Sequence, residues 1–236
     1  MKTQEKNFDG IKLSGFTAIL IMLALTGTAI YLLSLPQTPS IIAGVICGIC
    51  VVVMLPGFMI IQPNNSRVLT FFGRYAGTVI SNGFYWVNPL FLKSTVTLRI
   101  LNLNIDPIKV NDKVGNPIMI GAVVVWRIKD TYKASFDISG NIREFVQIQS
   151  DAALRQVAGM YAYDTNETID KVTLRSDESG EITQRLEDEL NSRLAIAGIE
   201  IVEARINYLA YASEIASVML RRQQADAIIS ALSLIH

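Results

Sequence analysis

The chain carries a single histidine, His236, and it is the last residue. Within this sequence that excludes Ser-His-Asp and Cys-His catalytic arrangements, HExxH sites and His/Cys metal clusters. Cysteine is nearly as scarce. Cys47 and Cys50 are the only two, so no disulfide framework holds the fold. Neither GxGxxG nor GxxxxGK[ST] occurs, so no phosphate-cradling loop of those kinds is visible. The 21 basic and 21 acidic residues are interspersed, and no basic block points to nucleic acid. Glu187 and Glu189 form a carboxylate pair, but they sit among Arg185 and Arg193 and are expected on a solvated helix face. The expectation is a non-enzymatic protein with no catalytic residue, no metal and no cofactor.

The largest absence is local. Residues 13–66 include no Asp, Glu, Lys or Arg. Two apolar stretches, 16–35 and 41–61, fill this run and are separated only by Pro36, Gln37, Thr38, Pro39 and Ser40. At about 1.5 Å rise per residue, each is long enough to cross a hydrocarbon core of roughly 30 Å. A helical hairpin in a membrane is the leading reading. A cleaved signal peptide is disfavoured, because the apolar run is too long, no A-x-A site follows and a second apolar segment arrives at once. A re-entrant loop is the remaining alternative. Lys2, Lys6 and Lys12 precede the first stretch, Arg67 and Arg74 follow the second, and the connection has no basic residue. Basic residues are retained on the cytoplasmic side, so both ends are expected there.

Gly44 and Gly48 have GxxxG spacing, which lets helix backbones approach closely. They pack the two spans, or pack neighbouring chains, or reflect only the frequency of glycine in membrane helices. Cys47 and Cys50 have CxxC spacing but lack the electropositive, exposed setting of a reactive thiolate; small apolar packing is favoured over redox chemistry or lipidation. Pro56 and Gly57 are expected to kink or fray the second span.

Beyond residue 62 the pattern turns β-rich. Strands are expected over 67–72, 78–80, 84–87 and 94–100. Val96, Leu98 and Ile100 share one phase and Leu101, Leu103 and Ile105 the other, which predicts a bulge near Ile100 and Leu101. Residues 108–114 and 118–128 bracket Gly115 and Asn116 as a hairpin, and the apolar run 122–126 predicts a central strand covered on both faces. Helices follow over 142–161, with Asp151 and Arg155 at i,i+4 spacing, and over 177–197. In the second helix Ile182, Leu186, Leu190 and Leu194 recur on one face, and Gly198 is placed for a left-handed cap. Residues 200–208 alternate, with Val202, Ala204, Ile206 and Tyr208 on one face. The last segment, 213–232, is helical. Ile215, Val218, Arg222, Ala225 and Ile229 form a heptad seam for oligomerisation. A plain amphipathic helix is the alternative.

These elements, in this order, resemble the SPFH superfamily, also called Band 7 or PHB: stomatins, prohibitins, flotillins and bacterial relatives. Four stretches carry the resemblance. They are 62–75 with its Phe72-Gly73-Arg74-Tyr75 turn, 83–90 from Gly83 to Leu90, 122–130 with Trp126-Arg127, and 153–159 with Ala153-Leu154-Arg155. The tail 208–225 is similar to a bacterial subgroup that carries paired N-terminal spans. Ser213 stands where that subgroup commonly has proline. The family continues into a long coiled coil, whereas residues 232–236 resemble a translated sequencing adapter; a natural, unusually short end is the alternative.

The resemblance implies an α+β fold: a transmembrane helical hairpin, an SPFH domain with a curved, mostly antiparallel sheet and packed helices, then the start of a coiled-coil helix. The expected boundaries are 1–12 for a cytoplasmic N-terminus, 13–61 for the hairpin, 62–210 for the SPFH domain and 211–236 for the truncated coiled coil. It further implies a scaffold in the bacterial inner membrane that self-assembles into large homo-oligomers and organises membrane patches or membrane protein quality control. A membrane AAA+ protease or an NfeD-like protein is the implied partner in the alternative reading, a dedicated regulator. Phe84, Tyr85 and Trp86 are candidates for the membrane interface, or else ordinary core residues.

Overall fold

The computed structural model describes residues 5–164, 172–176 and 180–233. The chain divides into two compact units, Met1–Arg99 with Asp130–Ser135, and Ile100–Lys129 with Phe136–His236.

The first unit begins with a two-residue strand, β1 (Leu13–Ser14), that runs directly into helix α1 (Gly15–Ser34). Helix α2 (Thr38–Met54) returns, with Pro39 in its first turn, where the missing N–H costs nothing. Both helices are long and apolar enough to cross a membrane, and only 11% of each span is buried. Phe16, Leu20, Ile30, Ile42, Ile49 and Val52 all face outward. Helices of a soluble core would bury such side chains, so these surfaces suit lipid.

The second span ends earlier than its hydropathy suggests. Helix α2 stops at Met54, a single 3₁₀ turn covers Leu55–Gly57, and Phe58–Ile61 form strand β2. Composition alone cannot separate a short buried strand from the tail of an apolar helix. Pro56 and Gly57 mark the boundary.

Strands β3 (Asn65–Phe71), β4 (Arg74–Val79), β5 (Gly83–Trp86) and β6 (Phe91–Thr97) complete this unit as two antiparallel sheets, ordered β1-β5-β2 and β4-β3-β6. Met59, Ile61, Leu69, Val79 and Val87 form its core, and Phe8 and Tyr85 pack against them. The segment before β1 is bound rather than loose. Phe8 N donates to Thr78 O and Thr78 N to Lys6 O, each at 3.0 Å. The buried Thr78 and Thr131 hydroxyls lie 2.9 Å apart, and Thr131 donates to Glu5 at 2.6 Å. Thr131 opens α3 (Thr131–Phe136), whose residues up to Ser135 belong to this unit.

In the second unit, β7 (Leu101–Asn111), β8 (Pro117–Ile128) and β9 (Ile199–Tyr211) make one antiparallel sheet with β8 in the centre. Helices α4 (Ile142–Ala158) and α5 (Glu181–Leu194) pack on it, α4 against β7 and β8 and α5 against β9. Ile182, Leu186, Leu190 and Leu194 are all buried, as their spacing requires. Gly198 caps the following turn at φ 67°, ψ 25°. Helix α6 (Ser213–Ser233) ends the described chain.

Four local expectations need correction. The phase change at Ile100 and Leu101 is a change of sheet: β6 pairs with β3, whereas β7 pairs with β8. The irregularity in β7 lies between Ile105 and Ile108, where Pro107 has no N–H to offer. Strand β8 is central, but within the run 122–126 only Ala122, Val124 and Trp126 are buried; Val123 and Val125 are half-covered. Val202 does not share a face with Ala204. Trp126 opposes Ile201 and Val125 opposes Glu203, so Val202 bulges outward.

That bulge also changes the reading of the Glu187 face. Glu187 Oε1 accepts from Ala204 N at 3.1 Å, and Asn191 Oδ1 accepts from Ile201 N at 3.0 Å. Polar side chains of α5 thus satisfy the outer edge of β9 and cover a row of donors that would otherwise recruit another strand. Glu189 pairs with Arg193 at 2.6 Å.

Candidate membrane-interface site

Three aromatic residues in succession, Phe84, Tyr85 and Trp86, build β5, and alternation sends Tyr85 to one face and its neighbours to the other. The strand joins both feet of the hairpin. Leu13 and Ser14 oppose Trp86 and Tyr85 on one edge, and Phe58 to Ile61 oppose Trp86 to Gly83 on the other. The residues before α1 and after α2 therefore lie in one three-stranded sheet.

The ring of Phe84 meets Phe16 edge-on at 5.6 Å and stacks on Phe58 at 5.5 Å, so one side chain contacts the start of α1 and the exit of α2. A β-carbon at Gly15 would lie 2.2 Å from this ring, which requires glycine there. Trp86 Nε1 donates to Met54 O at 2.9 Å. Met54 is the last residue of α2, where carbonyls lose their intrahelical partners. Tyr85 packs against the core, and its hydroxyl donates to Asn82 O at 3.1 Å. The Lys12 ammonium sits 4.6 Å above its ring. All three aromatics are half-buried.

Two cations lie beside this cluster. Lys93 on β6 donates to the carbonyl oxygens of Pro56 and, at 3.4 Å, Phe58. Arg67 on β3 donates to Ile60 O at 3.5 Å. Both thus tie down the chain as it leaves α2. They share a cleft of about 420 Å³ with Pro56, Phe58, Ile60 and Phe84. Burial pushes the Lys93 pKa down from its ordinary value, and the Arg67 charge adds to the effect. In the sequence Arg67 registers only as a flanking charge and Lys93 not at all, because their meeting depends on the β3–β6 pairing.

The remaining sequence-identified residues separate. Gly44 is buried against α1, where a β-carbon would lie 2.9 Å from Leu33 Cγ and 3.1 Å from Ala29 O. Gly48 has nothing within 4 Å of that position. Cys47 is half-buried and Cys50 exposed, and both are free thiols. On α6, Ile215 is half-buried, and Val218 and Ala225 are exposed. The side chains of Arg222 and Ile229 lie outside the described residues. Among the described residues no group of three His, Cys, Asp or Glu side chains is placed to hold a metal ion.

Residues 59–232 match the family model of the SPFH domain / Band 7 family. The chain belongs to that family. No curated protein matches the chain. The SPFH match begins at Met59, inside β2, so the strand that follows the apolar hairpin is also the start of the family domain.

Proposed function

We propose that this SPFH protein is a non-enzymatic, membrane-anchored scaffold that self-assembles into large homo-oligomers and organises membrane patches or membrane protein quality control. The observation that carries this reading is the attachment of an outward-facing apolar hairpin, at both feet, to one strand of the SPFH domain through Phe84 and Trp86. Such an anchor holds the attached strands against the bilayer. The basic residues flanking the two apolar stretches support a position of the SPFH domain on the cytoplasmic side of a bacterial inner membrane. Support for self-assembly comes from α6, whose Val218, Leu220 and Ile228 are exposed apolar side chains on a helix.

The test is light scattering of the protein in mild detergent. A large homo-oligomer, with lipid and no second protein in stoichiometric amount, is expected. A monodisperse monomer overturns the scaffold reading. Co-purification with a stoichiometric AAA+ protease or NfeD-like protein would replace it with a dedicated regulator.

A further inference from the structure

The Arg67–Lys93 cleft contains positive charge without a carboxylate. Neither side chain is ion-paired among the described residues, and their hydrogen bonds go only to the main-chain oxygens of Pro56, Phe58 and Ile60. An ammonium has three donors and a guanidinium five, so both keep donors to spare. The cleft wall is apolar and aromatic, with Phe58 and Phe84 stacked on each other. Its position is set by α2: Pro56 lies in the turn that directly follows that membrane-length helix. Ile60, on the cleft wall, is 65% exposed. Cationic donors beside apolar walls, at the level where a membrane helix ends, match a phosphate attached to a greasy tail. A soluble acidic peptide would need no such apolar rim.

We propose that Arg67 and Lys93 form a binding site for the phosphate of an anionic phospholipid at the foot of α2. The site rests on the membrane-anchored reading above. It neutralises two neighbouring cations that otherwise repel, one of which is already disfavoured as a charge by burial. It also ties the lipid to the segment that joins the hairpin to the SPFH domain, so lipid identity and domain attachment are read by the same residues.

The full chain reconstituted in phosphatidylcholine vesicles containing brominated phosphatidylglycerol tests this by quenching of tryptophan fluorescence, since Trp86 lies at the same foot. Brominated phosphatidylglycerol should quench at lower mole fraction than brominated phosphatidylcholine. Arg67→Gln and Lys93→Gln should each reduce that preference about fivefold, from roughly 1 kcal/mol per cation at an anionic surface. Lys93→Arg should retain most of it, and Lys109→Gln, at an exposed lysine that does not line the cleft, all of it. Equal quenching by both lipids, or a preference that survives the double variant, overturns the site. If Lys93→Gln fails to fold, Arg67→Gln decides alone. Inorganic phosphate at millimolar concentration supplies the other source of the same anion. Phosphate binding that excludes phosphatidylglycerol would make this a soluble-anion site and overturn the proposal. Light scattering on the same samples keeps the two readings apart. No lipid preference in the unsubstituted chain, with intact oligomers, counts against the site alone, and a monomer that keeps the preference counts against the scaffold alone.

Discussion

The indole N–H of Trp86 lies 2.9 Å from the carbonyl oxygen of Met54, so a strand of the SPFH domain caps the C-terminus of a membrane-length helix. The carbonyls at a helix end lack i+4 partners, and the indole gives this one a side-chain donor where the chain turns at Leu55–Gly57. Gly57 makes the contact possible: a β-carbon there would lie 2.3 Å from Trp86 Nε1. Trp86→Phe should therefore lower stability by about 1–2 kcal/mol through the lost hydrogen bond. Gly57→Ala should produce a similar loosening by displacing the ring. Thermal unfolding in detergent measures the first effect. Faster protease cleavage near residues 55–57 measures the second.

Gly44 and Gly48 share a motif but not an environment. Gly44→Leu should separate α1 from α2, because its position is filled by Leu33 and the Ala29 carbonyl, whereas Gly48→Leu should leave the hairpin intact. Crosslinking between cysteines placed on the two helices, in a background with Cys47 and Cys50 replaced by serine, distinguishes them. A loss of crosslinking confined to the Gly44 variant is expected.

Asp112 is a buried carboxylate that organises the β7–β8 turn. Its Oδ1 accepts from Val114 N at 3.0 Å and Asn116 N at 2.8 Å. Its Oδ2 accepts from Asn116 Nδ2 and Tyr163 N, both at 3.1 Å. Asp112→Ala strands these donors in a site that is 4% exposed and should cost about 2–4 kcal/mol. Denaturant unfolding should show the midpoint falling while the slope is kept. Gly115→Ala, at φ 95°, should destabilise the same turn by a smaller amount.

Asp151 behaves in the opposite sense. Its Oδ1 is covered and has no hydrogen-bond partner, and Arg155, one turn on, sends its guanidinium to Lys109 O at 3.2 Å. Burial raises the Asp151 pKa, the Arg155 charge partly opposes this, and Asp106 adds to it. A carboxyl whose folded pKa is raised costs stability when ionised. The cost is full above the raised value and disappears as pH falls through it to the ordinary carboxylate value. Asp151→Asn should therefore raise the melting temperature at neutral pH and lose that advantage progressively on acidification. An advantage that is unchanged at low pH would assign the effect to packing instead.

Much of the architecture is written in local pattern. An uncharged run long enough for two spans, a four-residue apolar stripe from Ile182 to Leu194 and a glycine after it are features of period and length, and short-range physics suffices to fix them. The interruptions are another matter. Val202 is apolar and in phase with Ala204, yet it bulges out, because the register of β9 on β8 and the side chains of Glu187 and Asn191 decide which backbone groups are paired. Phe58 to Ile61 look like membrane helix and become sheet, because β5 offers an edge and the turn at Pro56 frees them to take it.

The sequence by itself determined two apolar stretches of membrane length, the order of strands and helices after them, and the motifs that resemble the SPFH family; length, period and motif are local and need no partner to be read. Only the tertiary structure decided that one strand, β5, grips both feet of the hairpin, and that Arg67 and Lys93 meet beneath them. Those residues are far apart in the chain, so their proximity comes from strand pairing, a long-range interaction that leaves no mark at any single position.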